Sequence, residues 1–393
     1  MTKKNVVYII YLSIVGEMGL MAKTDVAVLD FGSSKLTLLV GHKTVNNCFS
    51  ITASSDIDYA GFMDGEFLEE DNLKYDIKQA VDEVSEVLKK PITRIYIGVP
   101  SEFCKVEKIV LNKNFSGRTR LTDKKIDTLF LNADKSVESD THSVINISPI
   151  YYQLDESNIT HAPLDCYCKS ISVNASVVMA DDRFISLVGN IINSIGIKDI
   201  EYVCSTLAEG EYLFSTELKN HGVLFVDCGY LTTSLAYLKG EGLTELRSFP
   251  IGGGQITAGI SEGMNLPFSV AEQVKQNLLI TLKATGLDYY EAYRGNKLEK
   301  VQAIPANEIA LNTIDELIGN IENEIETFEM LPNDYETLYL TGGGISYLKG
   351  IKHYLSKALK RKVEIVTPEP LKLRKPDLSS AISLLDTALK MER

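Results

Sequence analysis

VAVLDFGSSKLTLLV, residues 26–40, and VLFVDCGYLTTSLAY, residues 223–237, repeat one pattern at two widely separated places in the chain. Each is an apolar run that ends in Asp-x-Gly, passes through a short polar turn and resumes as a second apolar run carrying Ser or Thr. Two strand-forming runs joined by such a turn predict a β-hairpin whose tip presents an acid, a glycine and hydroxyls. Taken alone, such a segment reads better as a plain hairpin turn. The pair, about half the chain apart, predicts two related halves of similar size.

Around the hairpins, strands alternate with amphipathic helices, which is the pattern of α/β architecture. Residues 74–90 place Ile77, Val81, Val84 and Leu88 on one helical face, and the apolar segment 92–100 follows as a strand. Ile185, Val188, Ile191, Ile192 and Ile195 form a second apolar face, and Ile314, Leu317, Ile318, Ile321 and Ile325 a third. Between 101 and 181 the texture changes. A polar helix over about 122–138, with Ile126, Leu129, Phe130 and Ala133 inward, is flanked by strand-like runs at 143–154 and 169–180, which predicts a compact insert.

The chemistry of the first hairpin suits a phosphate. Backbone N–H groups donate at close range where glycine lets the main chain approach, hydroxyls add donors and a lysine adds charge. Gly32, Ser33, Ser34 and Lys35 supply all three, and Asp30 is placed to hold a hydrated Mg²⁺ beside the phosphates. Asp227, Gly229, Thr232 and Thr233 are the counterparts on the second hairpin. A third element, LYLTGGGISYLKGI at 338–351, is a strand, then Gly342, Gly343 and Gly344, then a helix, against which a flat nucleoside can lie.

Composition narrows the field. The chain has 393 residues, enough for two or more domains, and 45% hydrophobic with 24% charged residues is the balance of a globular protein. With 40 basic against 53 acidic residues the net charge is −13, which argues against a nucleic-acid surface. The six cysteines include no Cys-x-x-Cys pair and the five histidines are scattered, so a metal cage is not expected and a reduced, cytoplasmic protein is. Residues 6–15 (VVYIIYLSIV), after Lys3 and Lys4, are too few to span a bilayer, and Met21 opens a natural reading of the first strand. We therefore expect residues 1–21 to be an extension or a misassigned start.

The order of these motifs resembles the phosphate 1, phosphate 2 and adenosine motifs of the actin, chaperone and sugar-kinase superfamily. Within it, residues 22 to about 390 most closely resemble the bacterial cell-division protein FtsA family. YAGFMDGEFLEEDNL (59–73) resembles that family's Gly-x-x-x-Gly segment. FPIGGGQIT (249–257) resembles its Pro-x-Gly-Gly strand end, and SVAEQVKQN (269–277) its Ala-Glu-x-x-Lys helix. The resemblance implies that Glu272 and Lys275 face the nucleoside, and that ATP and Mg²⁺ are the cofactors. It implies an actin-like, ribonuclease H-like fold of two α/β lobes. Subdomain 1A is expected at 22–100, 182–215 and 362–393, the inserted 1C (SHS2) subdomain at 101–181, 2A at 216–252 and 305–361, and 2B at 253–304. The implied function is a cytoskeletal adaptor that self-associates into filaments and engages FtsZ and other division proteins, reaching the membrane only through partners.

Two alternatives stay open. A pilus-assembly adaptor of the PilM type shares the insert and lacks the membrane helix, and a small-molecule kinase shares the superfamily, although no carboxylate base stands out for it. The chain departs from the FtsA pattern at phosphate 2. Tyr230 and Leu231 replace glycines, Ser234 replaces an acid, and Gly259 stands where an Asp is usual. Those departures imply at most a weak ATPase, and no catalytic residue is assigned. The family's membrane-targeting helix has no counterpart at 381–391, where Ile382, Leu385 and Leu389 form an apolar stripe with neither aromatics nor a basic face. That stripe is expected to face the core.

Overall fold

The computed structural model describes residues 25–44, 49–131, 133–280, 283–328, 337–369 and 374–392. The run at 6–15 and the start at Met21 lie outside these residues.

The first hairpin forms as expected. Strand Val26–Phe31 pairs antiparallel with Lys35–Lys43, Asp30 opposite Thr37. It sits at the centre of a five-stranded sheet ordered Asp199–Cys204, Arg94–Val99, Val26–Phe31, Lys35–Lys43, Phe49–Asp58. Alternation along the strand assigns its two faces. Ala27, Leu29 and Phe31 enter a core with Ile77, Val84, Phe103 and Phe184. Val26 and Val28 point the other way, onto the C-terminal helix Ser379–Met391.

That helix carries the stripe Ile382, Leu385 and Leu389, all buried against the sheet with Leu384 and Ala388. Burial on this side accounts for its lack of a membrane-helix face. Leu385 is fully buried, and its Cδ2 lies 3.0 Å from where a side chain on Gly41 would begin, so no slack surrounds it. We expect Leu385→Ala to cost about 2–5 kcal/mol by lost transfer energy plus a cavity. Urea unfolding would measure it; a cost below about 1 kcal/mol would mean the helix is a loose appendage.

The second hairpin, Val223–Cys228 with Thr233–Lys239, stands in a sheet ordered Gly242–Phe249, Thr233–Lys239, Val223–Cys228, Leu338–Thr341, Val363–Ile365. Its alternation separates two cores. Leu224, Val226, Leu235 and Tyr237 face the helices Gly253–Gly263, Phe268–Asn277 and Ala303–Thr327, whereas Val223, Phe225, Ala236 and Leu238 join the first lobe's core. One face of the second sheet therefore packs on the first lobe. The strand Val363–Ile365 corrects a boundary: it pairs parallel with Leu338–Thr341, so the chain returns to the first lobe only after Ile365, not at 362.

The insert is a four-stranded sheet ordered Cys104–Arg120, Tyr167–Asp181, His142–Leu154, Asn158–Thr160, with its own core around Leu121, Phe130, Tyr152 and Val173. Its helix is shorter than the sequence pattern implies. Asp123–Phe130 ends where Leu131 leaves helical dihedrals (ψ 118°), and Ala133–Ser136 forms only a 3₁₀ turn.

Candidate functional site

A cavity of about 270 Å³ opens between the two hairpin tips. Its wall includes Asp30, Gly32, Ser33, Ser34 and Lys35 from the first hairpin, Asp227, Gly229 and Thr232 from the second, and Gly342 and Gly343 from the third element. Ten of the fourteen residues singled out in the sequence thus meet in one cleft.

The acids are held from behind. Asp30 shares the strand parity of Val26 and Val28, so it faces the C-terminal helix, and its Oδ1 accepts hydrogen bonds from Ser380 Oγ (2.7 Å) and Ser205 Oγ (3.1 Å). Burial nevertheless pushes its carboxyl up to about 6. Asp227 is pushed up to about 7 by burial and by the nearby Asp30 charge. Glu209, on the buried helix Ser205–Leu213, is raised well above the carboxylate range by burial and by both aspartates. It lines the same cavity and is 1% exposed, and neither of its carboxylate oxygens has a hydrogen-bond partner among the described residues. Sequence reading missed Glu209, Ser205 and Ser380. The available signal was an ionisable residue inside STLAEGEYL, a helix buried on nearly every side.

The other four residues stand behind the wall. Thr233 is fully buried, its hydroxyl donating to the Ile251 carbonyl (2.6 Å) and tying the hairpin to the next strand end. Gly344 packs against the second hairpin, its N–H donating to the Cys228 carbonyl (2.7 Å). Lys275 Nζ lies 2.9 Å from Glu272 Oε2 and donates to the Gly253 carbonyl (3.3 Å), and Glu272 accepts from Thr257 Oγ1 (2.6 Å).

The donor set on the first hairpin fits a phosphate, because a backbone turn, two hydroxyls and an exposed lysine border one cavity. Among the described residues no group of three His, Cys, Asp or Glu side chains is arranged to hold a metal ion. A Mg²⁺ ion there would take its remaining ligands from phosphate and water, as that ion prefers. The cavity as a whole is tight for a nucleotide. At about 270 Å³ the cavity is smaller than the roughly 300–1,000 Å³ of ordinary ligand clefts.

The family model described as Cell division protein FtsA matches residues 224–383. The cell division protein FtsA of Staphylococcus epidermidis is 23% identical over 93% of this chain and 79% of its own length. That of Bacillus subtilis is 22% identical over 93% of this chain and 83% of its own, and that of Neisseria meningitidis 22% over 93% and 91%. This chain is similar to FtsA proteins over most of its length.

Solved structures establish the fold of this chain as actin-like. A PilM–PilN type IV pilus biogenesis complex superposes with a TM-score of 0.63 at 18% identity, covering 94% of this chain and 99% of that one. MreB5 of Spiroplasma citri, solved bound to ADP, superposes at 0.50 and 14% identity, covering 92% and 94%. Among the described residues, no helix is long and apolar enough to cross a membrane.

Proposed function

We propose that this chain is an FtsA-like adaptor of bacterial cell division. It associates with its own copies and with division partners, including the tubulin-like FtsZ, and is governed by ATP and Mg²⁺ in the cleft between its lobes. The observation that carries the reading is the FtsA likeness along 93% of the chain, shared by relatives in several bacteria. The insert at 104–181 supports it, since it stands where the FtsA resemblance expects a 1C subdomain. Asp30, Ser33, Ser34, Lys35, Asp227 and Thr232 would receive the triphosphate, the two acids holding Mg²⁺ through water. Gly342 and Gly343 would border the nucleoside.

Hydrolysis is expected to be slow, because the second hairpin has Ser234 where the resemblance expects an acid, and Ser234 Oγ is engaged with Ser101 Oγ at 2.5 Å. A cytoplasmic location, with the division site reached through partners, is the reading that goes with this function.

Sedimentation of the purified chain with and without MgATP, together with capture of FtsZ from the same cell, tests the proposal. Pelleting of the chain and retention of FtsZ are expected. Brisk phosphate transfer to a sugar or carboxylic acid, with neither association, would sink it in favour of a small-molecule kinase.

A further inference from the structure

Two residues set the phosphate 2 turn apart from a glycine-rich one: Tyr230, which lines the cleft, and Leu231 beside it; both are engaged by neighbouring segments. The Tyr230 ring lies under Lys275, its centroid 5.0 Å from Nζ, a cation–π distance. Its hydroxyl meets Thr257, and Glu272 is beside it. The Tyr230 carbonyl accepts from Gly254 N–H (2.6 Å) and the Gly229 carbonyl from Gly253 N–H (3.0 Å), so the helix Gly253–Gly263 spends its first donors on this turn. The fit is close enough that a Cβ on Gly254 would lie 2.9 Å from the Tyr230 ring, and one on Gly252 2.5 Å from its carbonyl oxygen. Leu231 reaches the other way. Its N–H donates to Ser33 Oγ (2.9 Å), and its Cδ1 lies 3.2 Å from where a Cβ on Gly61 would stand.

Lys275, which the resemblance assigns to the nucleoside, and Ser33, on the first phosphate hairpin, are therefore engaged by the chain itself, together with Thr257 and the helix start. Lys275, Thr257 and the helix start hold an aromatic ring and two carbonyls, and the Ser33 hydroxyl holds a backbone amide. An aromatic ring under an ammonium, followed by a donor on the phosphate hairpin, reproduces the two ends of a nucleotide's contacts.

We propose that Tyr230 and Leu231 are an internal plug: the Tyr230 ring takes the nucleoside position beside Lys275, and Leu231 bridges the two hairpins through Ser33. Lobe closure is then a property of the chain, and a nucleoside triphosphate enters only as the plug withdraws. This rests on the nucleotide-binding reading above and adds to it the residue pair that sets access.

The test is isothermal titration of MgATP into the full chain and into the double variant Tyr230→Gly, Leu231→Gly, with thermal melts of both. Apparent affinity falls by the fraction of molecules with the plug out, so the variant is expected to bind about tenfold tighter or more. The melting temperature of the unaltered chain should scarcely respond to MgATP, whereas the variant should melt lower alone and recover with it. Tyr230→Phe keeps the ring under Lys275 and should behave as the unaltered chain does.

Micromolar binding by the unaltered chain overturns the plug while leaving the nucleotide reading intact, and it needs no variant to fold. Absence of binding in both chains, with the variant folded by circular dichroism, overturns plug and nucleotide reading together.

Discussion

Gly342→Ala should lower the melting temperature by roughly 10 °C and disable the cleft at the same time. Gly342 has φ +85°, a left-handed conformation that costs an L side chain about 1–2 kcal/mol. Its missing Cβ would stand 2.1 Å from Asp227 Oδ1 and 2.4 Å from the Cys228 carbonyl oxygen, so the second hairpin tip must move as well. Overpacking of that kind adds about 1–3 kcal/mol. At about 2–4 °C per kcal/mol for a domain of 150–250 residues, the sum gives the stated shift. The hairpin cannot yield freely, because Gly344 N–H holds the Cys228 carbonyl and Gly342 N–H donates to Pro376 (3.2 Å) at the approach to the C-terminal helix. Gly319→Ala is the control. It lies in the helix Ala303–Thr327 with nothing within 4 Å of the added carbon, and should stabilise by about 0.5–1 kcal/mol. Equal melting temperatures for the two variants would mean that the Gly342 turn carries no strain.

The fold was legible because its information is periodic. Asp-x-Gly at the end of two apolar runs marks two hairpins, and alternation within Val26–Phe31 and Val223–Cys228 tells which residues share a face. Once the strands pair, parity brings the residues of both tips onto one cavity. What was not legible depends on packing between distant segments. Glu209 looks like one more helical residue until the helix Ser205–Leu213 is found buried between the lobes. Ser380 reaches Asp30 across 350 positions of sequence. The strand Val363–Ile365 has only three residues, too few for a period, so its sheet could be learned only from its pairing. Tyr230 and Leu231 were visible as departures from a pattern, but the direction in which the ring turns is set by Lys275 and the glycines of a helix more than twenty residues away.

The buried acids set a pH dependence whose sign is opposite to ordinary acid denaturation. Unfolded Asp and Glu titrate near 3.9 and 4.3. In the folded chain Asp30 titrates at about 6, Asp227 at about 7 and Glu209 well above its usual range, in each case chiefly because burial disfavours the charged form. Between pH 4 and 7 the folded state therefore binds more protons than the unfolded state, and stability falls as pH rises through that window. Each carboxyl still protonated contributes a slope of about 1.4 kcal/mol per pH unit until its folded value is passed. Depressed carboxyls such as Asp25 and Asp181 act in the other sense, but their stabilisation is complete once pH is above the unfolded value, so they leave the window unaltered. His161, lowered mainly by burial, opposes the trend only below about 6.5, the ordinary imidazole value. Urea unfolding at pH 5, 6, 7 and 8 should therefore show stability falling by several kcal/mol toward neutrality. Asp227→Asn removes one of the charges, so it should flatten the slope and raise stability at pH 8 by about 2–4 kcal/mol, less than its full displacement of about three pH units. Asp227 is half-buried and lines the cleft, so a slope that the substitution leaves unchanged would show that cleft water solvates its carboxylate.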